Sequence, residues 1–144
     1  MRVLSPNRIV WRNLSGSGNE TAGHLAQINR ITLMWCGFEK MPMIMRAYGT
    51  ARTLHPRDAE FAALNGLFPA SIGARQVYDV SIEMVQTSCG YAVPFMDFAG
   101  ERDVLTDWTD RKGPDGIAAY WKDKNQYTID GAPTHILDPK ADQT

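Results

Sequence analysis

A chain of 144 residues and 16.1 kDa has the length of one domain, enough to bury a core and too short for a second catalytic domain. Apolar residues at 44% and charged residues at 22% exclude a disordered, fibrous or disulfide-scaffold chain. A formal charge of −1 gives no pull toward a polyanion, so nucleic acid is not an expected partner.

Two cysteines, Cys36 and Cys89, are too few for a secreted disulfide framework and match no paired-thiol or zinc-knuckle spacing. No apolar run approaches the roughly 18 residues of a membrane span, and Met1 to Pro6 lacks the apolar core of a signal peptide. The expectation is a soluble, cytoplasmic protein with no membrane partner.

Arg8 to Leu14 reads as a short strand closed by the turn Ser15-Gly16-Ser17-Gly18. Ser17 and Glu20 stand in the S-x-x-E relation of a capping box, opening a helix with Ala22, Leu25 and Ile28 on its apolar stripe and a stop at Asn29. Arg30 to Phe38 is expected as a central strand buried on both faces in its second half, where Leu33 and Trp35 alternate with Met34 and Cys36. After a turn at Glu39 to Pro42, Met43 to Leu54 follows as a long strand. Small residues Ala47, Gly49 and Ala51 lie on one of its faces, and Ile44, Arg46, Tyr48 and Arg52 on the other. A glycine in such a strand marks a bulge or a close backbone approach.

His55-Pro56 opens a predicted helix with Phe61, Leu64 and Phe68 inward, ended by Pro69. Gln76 to Val85 alternates as a half-buried antiparallel strand, and Gln86 to Pro94, with neither period, is expected as an ordered loop. From Gly100 two helical stripes appear, Val104-Leu105-Trp108 and Ile117-Tyr120-Trp121, with Pro114 suited to the first turn of the second helix. The tail from Gln126 is expected to be irregular or loosely docked. The whole is one unit, 1–144, with barrel strands and two helices over 1–99 and helices and tail over 100–144. Hairpin-joined strands point to an antiparallel α+β, mainly β architecture. Four clear strands are too few to close a barrel, so further strands or a partner chain must supply cover.

Several residues invite chemistry, each with a plainer alternative. The Ser15–Gly18 turn feeding a helix N-terminus suits an anion, and equally suits a simple cap. It carries no Lys or Arg, leaving Arg12 or Arg46 to reach it from a strand. Arg46 and Arg52, beside Tyr48, either line an anion pocket or form a solvated face. Cys36 reads as core, and Cys89 reads as a structural thiol before a nucleophile. His24, His55 and His135 form no ligand pair, so no metal is expected. His24 belongs on a helix surface. Trp35, Trp108 and Trp121 have packing roles in hand, which leaves Trp11 and Tyr91 for another use.

Taken together, SGSGNETAGHL, RITLMWCGFEKMPMIMRAYGTARTLHPRDAEF, VQTSCGYAVPFMDFAGERD and KNQYTIDGAP resemble, in order and over about Leu4 to Pro133, the pyridoxamine 5′-phosphate oxidase-like family of flavin-binding split barrels. The resemblance implies a six-stranded split β-barrel with peripheral helices, a homodimer, and flavin mononucleotide (FMN) at the subunit interface. It implies a flavin-dependent oxidoreductase acting on a small, planar, anionic substrate. Ser17, Asn19 and Thr21 would face the cofactor phosphate, Arg46 and Tyr48 would lie along the pocket, and Cys89, Gly90 and Tyr91 would border it; no catalytic proton-transfer residue stands out.

Three departures mark this chain. The Ser-Arg-Lys run that the family's oxidases place at the Asn19-Glu20-Thr21 position is absent, and Ile44 stands where they place a glutamine. Relatives commonly begin with a further hairpin, of which Leu4-Ser5-Pro6-Asn7-Arg8 matches only the later part, so the barrel is expected to be incomplete at its N-terminal side. The rival expectation is a split-barrel binding protein that has lost FMN, or a variant holding a deazaflavin or haem.

Overall fold

A computed structural model describes residues 1–139. In chain order it contains β1 (Arg2–Ser5), β2 (Arg8–Leu14), α1 (Glu20–Gln27), β3 (Ile31–Cys36), β4 (Met43–Leu54), α2 (Phe61–Asn65), β5 (Ala74–Cys89) and α3 (Val104–Lys124). The five strands form one antiparallel sheet in the order β1-β2-β5-β4-β3. This is the mainly β, antiparallel architecture expected, with five strands in an open sheet rather than six in a closed barrel.

The sheet is strongly curled. β2 and β3 stand three strand spacings apart, roughly 14 Å in a flat sheet, yet Ile9 and Trp11 of β2 and Ile31, Leu33 and Trp35 of β3 pack into one core with Tyr78, Val80 and Leu25. α1 fills this concave face. The opposite face of the same strands carries Val10, Leu54 and Val77, covered by Phe61, Leu64 and Phe68 around α2. β5 is therefore buried on both sides from Ala74 to Val80, not half-buried as its alternation suggests, and exposed from Glu83 to its end.

A bulge sits between Tyr48 and Gly49, where β4 skips one residue of β5. A side chain at Gly49 would run into the Ser81 carbonyl, so only glycine fits there, within the buried small-residue face of Ala47, Gly49 and Ala51.

Other expectations are corrected. β3 is an edge strand with Thr32 and Met34 exposed, because no strand pairs beyond it among the described residues, and Cys36 is half-buried rather than core. β1 escaped the pattern, being four residues long and exposed. The predicted loop at Gln86 to Cys89 continues β5 and pairs with Met43 to Arg46. The capping box does not form: Asn19 is the N-cap without a side-chain cap bond, and Glu20 Oε1 instead accepts from the Ile129 amide at 3.3 Å. Ile28 lies past the helix end, exposed. α2 spans only five residues.

The two C-terminal helices run on as α3, kinked where Gly113 takes φ 65° before Pro114. Trp108 packs edge-on against Tyr120 at 4.9 Å. The segment from Gln126 is not loosely docked: Thr128, Ala132, Thr134 and Ile136 are buried, and Gly23 of α1 leaves room for Thr128. The end of the expected irregular tail, 140–144, lies outside the described residues. Among the described residues no helix is long and apolar enough to cross a membrane.

Candidate functional site

The turn from Ser15 to Asn19 is held from behind by a buried polar cluster. Arg75, 3% exposed, donates through Nη1 to the Gly16 carbonyl at 3.2 Å and through Nε and Nη2 to Asn13 Oδ1 at 3.0 and 2.6 Å. Asn125 Nδ2 donates to the carbonyls of Gly16 at 2.9 Å and Ser17 at 3.4 Å. Because C=O and N–H point in opposite directions across a trans peptide, these inward carbonyls turn the amides of Ser17 and Gly18 outward. Those amides adjoin the start of α1, whose positive end favours negative charge, and the Glu20 carboxylate already lies against Gly18 there.

Trp121 Nε1 donates to Ser15 Oγ at 2.8 Å, which itself donates to the Gly73 carbonyl at 3.0 Å. Asn19 faces inward: its Oδ1 accepts from Gln76 Nε2 at 2.6 Å, and its Nδ2 donates to the Asn125 carbonyl at 3.2 Å. Gln76 also donates to the Tyr78 hydroxyl, whose pKa burial pushes up to about 12. Of the three residues expected at a cofactor phosphate, Ser17 is exposed, Thr21 half-buried and Asn19 buried with its side chain engaged.

Arg75 is the basic residue that the sequence reading missed at this turn. Neither Arg12 nor Arg46 reaches it: Arg12 stacks over the Phe68 ring at 5.1 Å and donates to the Pro69 carbonyl, and Arg46 donates to Ser88 Oγ at 3.2 Å. Burial lowers the Arg75 pKa, no carboxylate among the described residues pairs with it, and its charge is met by neutral oxygens. Arg75 is the residue of β5 skipped where the register with β2 shifts between Asn13 and Leu14, a placement that no local pattern in the sequence announces.

The gap between the curled edges is a cleft of about 470 Å³. Trp11 and Arg12 of β2, Thr21 in the first turn of α1, and Leu33 and Trp35 of β3 line it. Trp11 also stacks on Tyr78, ring centres 4.9 Å apart and tilted by 33°.

The remaining candidates lie elsewhere. Arg46 and Tyr48 project from the sheet face opposite Ala47 and Gly49, where the Tyr48 hydroxyl donates to Gln86 Oε1 at 3.0 Å. Cys89 is exposed at the end of β5, Gly90 is buried against Pro42 and Met43, and Tyr91 is 85% exposed. One chain thus brings Thr21 into the cleft and leaves Arg46, Tyr48, Cys89, Gly90 and Tyr91 on a projecting arm.

Cys36 lines a separate hollow of about 660 Å³ with Phe38, Met41 and Phe98, which contains none of the expected cofactor residues. β4 stands between the two cysteines, since Cys36 faces Ile44 and Ile44 faces Ser88. That places their backbones about 10 Å apart, beyond disulfide reach. His24 is on the surface of α1, 3.5 Å from Asp130. Among the described residues no three His, Cys, Asp or Glu side chains are grouped to hold a metal.

Comparison with known proteins finds 39% identity over 98 residues with a protein of Aspergillus flavus named pyridoxamine 5′-phosphate oxidase family protein ustO. The match takes in 66% of this chain and 39% of the relative, so the chain spans well under half of that protein's length. No family model matches the chain, and no solved structure does so significantly.

Proposed function

The chain belongs to the pyridoxamine 5′-phosphate oxidase family, and from that membership we propose that it is an FMN-dependent oxidoreductase acting on a small, planar, anionic substrate. The observation that carries the reading is the cleft itself: the first turn of α1, Trp11 and Trp35 meet around a volume within the roughly 300–1,000 Å³ of small-molecule sites. The turn fits a phosphate through its outward amides and the positive end of α1, with the buried Arg75 guanidinium behind it. Ser17 and Thr21 would supply hydroxyls there, whereas Asn19 would hold the turn in shape. A bound flavin supplies hydride acceptance and return. The chain's own residues bind the phosphate end, offer aromatic surface to a ring and exclude water from the concave face.

Arg46 and Tyr48 stand on β4 opposite Met34 and Thr32 of the cleft wall without lining the cleft themselves, and Tyr91 lies past the end of β5. We therefore place them with a partner, in a homodimer whose second copy lays its arm against the first. Exposed apolar residues on the arm, Met34, Met84, Val85 and Phe98, support that arrangement. The completed six-stranded split barrel belongs to the same proposal, the open edge of β3 being where a further strand would pair.

The test is the visible spectrum of the purified protein after incubation with FMN and removal of the free cofactor. Flavin bands travelling with the protein are expected; a colourless protein overturns the cofactor. One observation favours a rival: the outer side of the turn carries no basic side chain, which suits a split-barrel binding protein without FMN, or one holding a deazaflavin or haem. Sedimentation tests the dimer separately, and a monomer near 16.1 kDa at micromolar concentration counts against the shared site.

A further inference from the structure

Apart from the proposed cofactor cleft, and sharing no lining residue with it, a cavity of about 420 Å³ lies between α1, the end of β4 and the segment Thr134 to Pro139. One wall is small and apolar, formed by Leu25 and Ala51. The other is polar. His55, 5% exposed, belongs to it, and its Nδ1 has no hydrogen-bond partner among the described residues. A buried ring nitrogen left unmatched is costly.

Two carboxylates stand in the same wall, each using one oxygen. Asp58 Oδ2 accepts from the His55 amide at 2.7 Å, and Asp138 Oδ2 pairs with His135 Nδ1 at 2.7 Å. The second oxygen of each makes no hydrogen bond among the described residues. Arg57, the one arginine of the wall, is turned to the chain itself, donating to the carbonyls of Ile136 at 2.9 Å and His135 at 2.5 Å. His135 also holds φ 60°, the one positive φ outside glycine among the described residues. Such backbone persists where surrounding contacts over-determine it, often at ligand sites.

We propose that this cavity is a second small-ligand site, which takes a primary ammonium group with a short apolar body. Unused acceptors set the sign of the ligand: a ring nitrogen and two carboxylate oxygens ask for N–H donors and positive charge. Burial, and then Arg57, lower the His55 pKa to about 4, so the ring is neutral at physiological pH and free to accept. Leu25 and Ala51 receive the apolar body. The site is independent of the cleft and of any flavin.

Amide and histidine-ring NMR signals of the full chain, titrated with n-propylammonium, test the assignment. Saturable shifts at Leu25, His55 and Thr134 in the millimolar range are expected, with none from tetramethylammonium, which has no N–H to give. Asp138→Asn, at a half-exposed position, should weaken binding about tenfold while leaving the spectrum folded, and His55→Phe should abolish it. Unsaturated shifts, or shifts equal for both cations, overturn the site. Saturation by propionate instead overturns the ammonium assignment.

Discussion

The two halves of β5 are chemically similar and structurally opposite. Val77 and Val80 are wholly buried, whereas Met84 and Val85, a few residues on, are each 56% exposed. Apolar side chains run on as far as Val85, so composition does not make the difference between Val80 and Met84. Cover does. The first half has α1 on one face and α2 on the other, and beyond the Tyr48–Gly49 bulge neither helix reaches. A core forms where the sheet finds a second layer, and the arm remains an apolar surface awaiting one.

Breaking the covered half should cost most. Tyr78 is fully buried, stacked on Trp11 and hydrogen-bonded to Gln76. Tyr78→Ala should destabilise the fold by about 3–5 kcal/mol through cavity and lost contact, measured as a drop in urea midpoint. A loss below about 1 kcal/mol would mean that this half is no better packed than the arm.

On the other face of the same strand segment, Asp79 is 7% exposed and bridges Arg8 and Arg52, each at 2.8 Å, across β2, β5 and β4. Burial raises its pKa, but the bonds from Arg8 and Arg52 outweigh that and hold it below the usual carboxylate range. Asp79→Ala should cost about 2–4 kcal/mol, because two guanidinium groups lose their shared anion. The native pair contributes stability above the unfolded carboxylate pKa and loses it as pH falls through the lower folded value. Acid titration of Asp79→Ala should therefore lack that part of the acid limb.

His55 offers a milder test at the edge of the covered region. Its folded pKa of about 4 lies below the unfolded value of 6.5, so the unfolded chain binds the extra proton first. The stability is whole above pH 6.5 and declines as pH falls toward 4, by up to about 3 kcal/mol at the lower end and about 1 kcal/mol near pH 5.5. His55→Phe should flatten that slope in urea melts taken across the range. An unchanged slope would assign the acid sensitivity elsewhere.

The covered half was largely legible in the sequence, and the arm was not. β2, α1, β4 and the face Ala47-Gly49-Ala51 follow from period and turn chemistry, as does the bulge at Gly49, because each depends on near neighbours. The position of β3 at an edge does not follow, since apolar Met34 and Cys36 look alike in a central and an edge strand. β5 beyond Val85 was missed for a similar reason: Gln86-Thr87-Ser88-Cys89 has no apolar face to show, and only pairing with β4 makes it a strand. At the candidate site, the turn and helix start could be read, but its buried arginine could not. Arg75 meets Gly16 from 59 positions away, and nothing local marks an arginine that folds inward. Asn19 is expected from the resemblance to face a phosphate, and only the long-range partners Gln76 and Asn125 show that its side chain turns inward.

The smallest stability effect should come from the arm, and it carries the most information about what covers it. Met84 is 56% exposed beside Tyr48, so Met84→Glu should change the urea midpoint of an isolated chain by no more than about 0.5 kcal/mol. If a second copy lies on this face, the same substitution buries a carboxylate in an apolar contact and costs the assembly several kcal/mol, since an unpaired charge resists desolvation. Sedimentation of the two proteins at equal concentration separates these cases. A dimer that becomes a folded monomer makes the arm the missing layer's binding face. An unchanged dimer puts the contact elsewhere on the molecule and leaves Arg46 and Tyr48 as a solvated strand face.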